Sequence, residues 1–202
     1  MGRPPTYDKD VLLGQIIDCL WECGYAATAV SDVVQATGVK AASLYALFGS
    51  KKGMMLAALN RYAEETFAGL RAVLEATPPG AAQMHAVLEH AWHAGLADPR
   101  ARGCFLVNSI MEARPDMPEF TEAVAGHMQT IRAMLRDELA QARDLLPGTT
   151  PEQAALFVQM QVWSIKLMVR LRPAPEMGPA VIRETLRALF TPESLRSIGI
   201  SG

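Results

Sequence analysis

The chain has 202 residues, half of them hydrophobic and 20% charged, with a formal net charge of −2 and a pI near 6.1. That size suits one large domain, or a small one joined to a larger, and the apolar content supports a real core; the global charge decides nothing about nucleic acid. Three cysteines (Cys19, Cys23 and Cys104) exclude a disulfide scaffold and suit a reducing cytosol. The opening MGRPPTYDKD has no apolar run, so no signal peptide is expected, and the longest low-charge run, Pro151 to Ile165, is too short for a comfortable membrane span. A soluble cytoplasmic protein is expected.

The punctuation is helical from end to end. Leu12, Ile16, Cys19, Leu20 and Cys23 repeat at helical spacing, and Gly24 ends that first helix. Cys19 and Cys23, one turn apart with no further ligand nearby, read as small core residues. Thr28 is placed to cap a short second helix running to Ala36, with Val30, Val33 and Val34 inward. After the turn Thr37-Gly38-Val39, a third helix runs from about Lys40 to Leu47, with Leu44, Leu47 and Phe48 facing inward, and breaks at Gly49. Ser50 caps a long fourth helix that Thr77-Pro78-Pro79-Gly80 stops near Ala76. Further helices are predicted near 81–97, 101–113, 117–146, 151–172 and 177–190, separated by proline-containing breaks. No segment has the alternating β-branched pattern of a strand. The fold expected is all-α with about nine helices, divided into residues 1–55 and 56–202.

The helix near 151–172 has no charge from Gln153 to Ile165, and a helix apolar around its circumference must be covered on more than one side. With the helix near 177–190 as neighbour, the expectation is a homodimer through these two helices; a central helix buried in a monomer is the other reading.

Between Ala36 and Met55 there are three lysines and no acid. Two short helices joined by a glycine turn and preceded by a supporting helix make a helix-turn-helix, whose second helix enters the major groove of double-stranded DNA. Its outer face would carry Lys40, Ala41, Ala42, Ser43, Tyr45 and Ala46. The alanines keep that face low, an alanine can touch a thymine methyl, and Lys40 and Ser43 can hydrogen-bond bases or phosphates. Lys51 and Lys52 lie where a helix N-terminus disfavours cations, so an anion clamp for a DNA phosphate is one reading and solvated surface lysines the other.

The segment Thr28 to Lys52, TAVSDVVQATGVKAASLYALFGSKK, resembles the signature of the TetR family of transcriptional regulators. The resemblance implies an N-terminal helix-turn-helix DNA-binding domain and a C-terminal ligand-binding and dimerisation domain. It puts Thr28 at the family's cap of the second helix, Tyr45 at its phosphate-contacting tyrosine, and Lys51 at the usual lysine opening the fourth helix. Arg3, in Gly2-Arg3-Pro4, resembles the arm that reaches toward the DNA backbone or minor groove. Three positions depart from the pattern. Leu47 stands where many members have histidine, Lys52 where an acid is common, and Lys40 replaces the commoner serine cap.

In such regulators the second half binds a small molecule and thereby changes the spacing of the DNA heads, so an unidentified effector is a further expected partner. Gly103-Cys104-Phe105-Leu106-Val107-Asn108, followed by Glu112, resembles the Gly-Cys-x-x-x-Asn-x-x-x-Glu pattern of a subgroup that includes electrophile- and oxidant-responsive repressors. Cys104 lies near a predicted helix start, where the dipole and Arg102 would favour a thiolate, making it the redox candidate; plain packing beside a pocket is the alternative. Trp92, His93, Cys104, Phe105, Asn108, Met111, Met160 and Trp163 are the candidate pocket residues, and eleven methionines suit an adaptable cavity. No cofactor motif is present, and His85, His90, His93 and His127 form no metal-ligand spacing with any cysteine. A thiol enzyme built around Cys104 has no supporting constellation, and a helical interaction module that has lost DNA binding stays open through Leu47.

Overall fold

The structure, a computed structural model, describes residues 8–200, which hold ten α-helices and no β-strand. In chain order they are α1 (Lys9–Ala27), α2 (Val30–Thr37), α3 (Ala41–Phe48), α4 (Lys51–Ala76), α5 (Ala81–Leu96), α6 (Phe105–Glu112), α7 (Pro118–Leu139), α8 (Pro151–Met168), α9 (Met177–Arg187) and α10 (Pro192–Ser197). A 3₁₀ turn, Val169–Leu171, follows α8 directly. The all-α expectation holds.

The helices gather into two compact units. The first takes the described residues up to Glu65 together with Phe105–Ala125; the second takes Thr66–Cys104 together with the described residues from Gly126 onward. In the first, burial comes from Leu12, Ile16 and Leu20 of α1, Val33 of α2, Leu44 of α3, Met54, Met55 and Leu59 of α4, and Phe105 and Phe120 of α6 and α7. Aromatic edges bind it across long sequence distances: Trp21 meets Tyr62 at 5.1 Å between centroids, Tyr62 meets Phe105 at 5.6 Å, and Tyr25 meets Phe120 at 4.9 Å. Such geometries add to the burial of apolar area.

The second unit has its own core, built from Met84, Leu88 and Trp92 of α5, Leu135 and Leu139 of α7, Ala154, Val158 and Ile165 of α8, and Ile182 and Leu186 of α9. Two buried carboxamides tie it together. Gln83 donates to the carbonyl of Leu74 at 2.9 Å and to the Glu138 carboxylate at 3.0 Å; Gln159 donates to the carbonyl of Met128 at 2.7 Å.

The segment Pro151–Leu171 is long and apolar enough, by length and composition, to cross a membrane. In this fold its buried side packs with α5 and α9. Thr150 caps α8 by accepting the N–H of Gln153, whose own carboxamide oxygen accepts the N–H of Thr150.

Several boundaries differ from the sequence expectation. The helix predicted from 101 starts at Phe105. Asp98 accepts the N–H groups of Arg100 and Arg102, and Ala101 and Gly103 have φ of 52° and 79°, so the chain turns before it coils. The helix predicted to 146 ends at Leu139, and Leu145 then makes an isolated antiparallel bridge with Phe190. A final helix, α10, begins with Pro192 and lies beyond the predicted set. Cys19 is half-buried, but Cys23 is exposed and is not a core residue, because the α1 face that carries it has no helix over it.

Candidate DNA interface and sensing site

Gly38, with φ 69°, ends α2 in the left-handed conformation and donates to the carbonyl of Val34 at 2.9 Å. Lys40 then takes the extended cap position of α3 with no side-chain capping bond, as its replacement of serine implied. Leu44 is fully buried and fixes the roll of α3. That roll leaves Lys40, Ala42, Tyr45 and Ala46 exposed, with Ala41 and Ser43 half-buried beside them. Tyr45 is 45% exposed.

Two of the expected side chains are placed otherwise. Leu47 does not face inward: it is 42% exposed and lines a cleft of about 540 Å³ with Lys9, Leu13, Phe48 and Arg61. The short helix has one buried stripe, and Leu44 occupies it. Thr28 does not cap α2. It is buried, and its hydroxyl donates to the carbonyl of Gly24 at 2.6 Å, closing the end of α1. The cap of α2 is Ala29, whose N–H donates to the Asp32 carboxylate at 2.7 Å. Arg3 lies outside the described residues.

The α3–α4 corner rests on backbone contact. Gly49 has φ 74°, and a Cβ on Gly53 would collide with the carbonyl oxygen of Phe48. Ser50 accepts the N–H of Gly53 at 3.0 Å, so the expected cap of α4 is present and this N–H is satisfied within the chain.

Each lysine of the pair has a neighbour. Lys51 Nζ lies 4.4 Å from the centroid of the Tyr25 ring, a cation–π contact. Lys52 Nζ donates to Glu119 Oε1 at 2.8 Å. That hydrogen bond raises the Lys52 ammonium and holds the Glu119 carboxyl below its ordinary value. Glu112, the last residue of the Gly-Cys pattern, reaches α1. Its Oε2 accepts the N–H of Tyr25 at 2.7 Å, beside Gly24, whose φ of 80° breaks the helix.

The expected pocket residues divide between the two units. Phe105, Asn108 and Met111 belong to the first unit; Trp92, His93, Cys104, Met160 and Trp163 belong to the second. Trp92 is buried against Gly178, whose missing side chain makes room for the indole, and Phe105 is buried among Trp21 and Tyr62. His93 is exposed and Met111 is 81% exposed, while Asn108, Met160 and Trp163 are half-buried. Cys104 is half-buried, directly before α6. Arg102 donates from its Nε to the Asp98 carboxylate at 3.0 Å. Lys166 of α8 interacts electrostatically with Cys104. Burial pushes the Lys166 ammonium down, and Cys104 partly restores it. Gly103 has left-handed backbone against the carbonyl of Lys166, which brings this turn onto α8. Burial and Lys166 together push the His90 imidazolium down. Among the described residues no group of three or more His, Cys, Asp or Glu is placed to hold a metal.

Tyr25, Glu119 and Lys166 escaped the reading of the sequence. For the first two the contact partner lies far along the chain. Lys166 did carry a signal, as the first charge after the uncharged run of α8.

Comparison with known proteins agrees with this geometry. Residues 12–58 match the family model of bacterial regulatory proteins, tetR family, and residues 80–183 that of the tetracyclin repressor-like C-terminal domain. The chain is 31% identical over 193 residues to the HTH-type transcriptional repressor ComR of Escherichia coli (strain K12), covering 92% of this chain and 90% of that one. It superposes with a TM-score of 0.84 and 25% identity on a cysteine mutant of the TetR family transcriptional regulator CifR complexed with 26bp double-strand operator DNA, covering 93% and 100% of the two chains. The reduced form of E. coli NemR shares the fold, with a TM-score of 0.76, 18% identity, and 90% and 96% coverage. A helix-turn-helix with an exposed α3 face, joined to a second helical unit, together with two family matches that span most of the chain, make this protein a member of the TetR family, whose members are transcriptional regulators and not enzymes.

Proposed function

We propose that the protein is a homodimeric repressor that binds double-stranded operator DNA and releases it in response to a small-molecule effector or to modification of Cys104. The observation that carries the DNA reading is the exposed face of α3, with Lys40, Ala42, Tyr45 and Ala46 outward while Leu44 anchors the helix. Ala41 and Ser43 complete that face, Lys51 and Lys52 supply cations at the start of α4, and Arg3 precedes α1 in sequence. Residues 1–55 would carry DNA recognition and residues 56–202 the effector and dimer functions, in a cytoplasmic protein. The repressor role is supported by the name of ComR, and operator DNA by the CifR complex.

The homodimer is supported by α8. Its buried side holds Ala154, Ala155, Val158 and Ile165, and its other side leaves Leu156 44%, Phe157 38% and Leu167 60% exposed, with Leu171 beyond it at 82%. These residues recur at helical spacing, so they form an apolar stripe of the kind that marks an association surface. A second subunit presenting the same stripe, with the helix near 177–190 beside it, covers the face by two-fold symmetry. A covalent response at Cys104 is supported by its partial exposure and its place directly before α6. A ligand changes DNA affinity only as far as it binds the two states differently; a hundredfold release needs about 2.7 kcal/mol.

The deciding experiment is a gel shift of the purified protein against its own upstream intergenic DNA. A discrete complex at low salt is expected, and its absence across that region would count against DNA binding.

A further inference from the structure

We propose that Glu119 is a built-in competitor of DNA phosphate for Lys52, a carboxylate that occupies the lysine when no duplex is bound. The proposal rests on the DNA-binding reading above and adds a residue to it that lies far from the helix-turn-helix in sequence.

Lys52 is the second residue of α4, one turn from the exposed α3 face, and Glu119 is the second residue of α7. Their side chains meet at 2.8 Å while remaining 42% and 47% exposed, so water and other ions reach the pair. An exposed pair of this kind holds its partners only weakly, and a phosphate on a polyanionic duplex can displace the carboxylate. Glu119 has no alternative basic partner among the ion pairs of the described residues. The same turn of α7 also reaches the other lysine indirectly: Phe120 stacks edge-on against Tyr25 at 4.9 Å, and Tyr25 carries Lys51 at 4.4 Å from its centroid. One lysine is therefore held by an aromatic face that does not compete with phosphate, and the other by a carboxylate that does.

A competitor and a structural staple make opposite predictions. Removing a competitor strengthens DNA binding, whereas removing a staple weakens it. The test uses the full chain and mixed-sequence double-stranded DNA, with binding read by fluorescence anisotropy across a salt series. Thermal melts check that Glu119→Gln, Lys52→Met and the double variant fold. Glu119→Gln should bind about two- to fivefold tighter than wild type at low salt. Its slope of log affinity on log salt should stay as in wild type, because Lys52 reaches the phosphate in both complexes and only the competition is removed. In the Lys52→Met background the Glu119 substitution should change nothing. Equal or weaker binding by Glu119→Gln, or a gain that survives in Lys52→Met, overturns the proposal. Wild-type protein that binds no duplex at low salt overturns the DNA-binding reading, and this proposal with it.

Discussion

Glu112 closes the break in α1: its carboxylate accepts the N–H of Tyr25 at 2.7 Å, across the residue, Gly24, where the helix turns out of register. A Cβ on Gly24 would stand 2.5 Å from Glu112 Oε1, so the glycine is required by its φ of 80° and by the carboxylate together. Gly24→Ala should therefore cost about 1–3 kcal/mol in urea unfolding, and Glu112→Ala less, about 0.5–1 kcal/mol, because the lost bond is at an exposed site. Gly24→Ala should cost less in the Glu112→Ala background, since the collision is then removed. Additive costs would show that the strain at residue 24 is purely backbone.

Tyr45 and Lys51 should separate shape from charge in DNA binding. Lys51→Ala is expected to weaken binding to every sequence and to flatten the salt slope by about 0.9, and Lys51→Ala with Lys52→Ala by about twice that. Tyr45→Phe should weaken binding with the slope intact, because a neutral hydroxyl displaces no counterion. Tyr45 is exposed, so Tyr45→Phe should leave the melting temperature unchanged, while Lys51→Ala should lower it slightly through the lost contact with Tyr25. A slope that ignores the lysines would mark them as ordinary surface residues.

The apolar stripe of α8 predicts a dimer that one charge can open. Leu167 is 60% exposed, and Leu167→Arg should convert dimer to monomer in sedimentation velocity while leaving helical content intact. Ile165→Arg, two residues away but fully buried, should instead prevent folding. If Leu167→Arg stays dimeric, another surface makes the contact.

Cys104→Ser should keep DNA binding and lose release by an unsaturated aldehyde or a quinone, read by gel shift before and after treatment. Cys23→Ser, at the exposed cysteine, should behave as wild type. Release that persists in Cys104→Ser would show that sensing is non-covalent or uses another residue.

Asp98 gives a pH dependence with a definite sign. Burial raises its carboxyl, but the Arg102 side chain and the N–H groups of Arg102 and Arg100 outweigh it, so the folded value lies below the ordinary 3.8. A depressed folded value means that the carboxylate stabilises the fold fully above about 3.8 and that this contribution is lost as pH falls through the folded value. Wild type should lose more of its melting temperature than Asp98→Asn between about pH 5 and pH 3. Parallel losses would show that the turn does not depend on the charge.

Much of this was legible in the chain because it is local. The glycine after α2, the serine before α4, the proline runs and the helical spacing act over a few residues, and α4, α5 and α8 begin where those signals put them. The failures are also physical. Thr28 looked like an N-cap from one side, but its hydroxyl had a carbonyl at Gly24 to satisfy, and Asp32 served α2 in its place. Leu47 looked buried by spacing, yet an eight-residue helix has room for one inward stripe. The partners of Lys51 and Lys52 are Tyr25 and Glu119, set by tertiary folding, which no window of neighbouring residues contains.

The backbone contact at Gly53 has a consequence for how the family's scaffold can vary here. Because the Phe48 carbonyl fills the space a side chain would need, the direction in which α4 leaves the recognition helix is set by main chain against main chain. Side-chain drift in the first turn of α4 can then alter charge but not the corner itself.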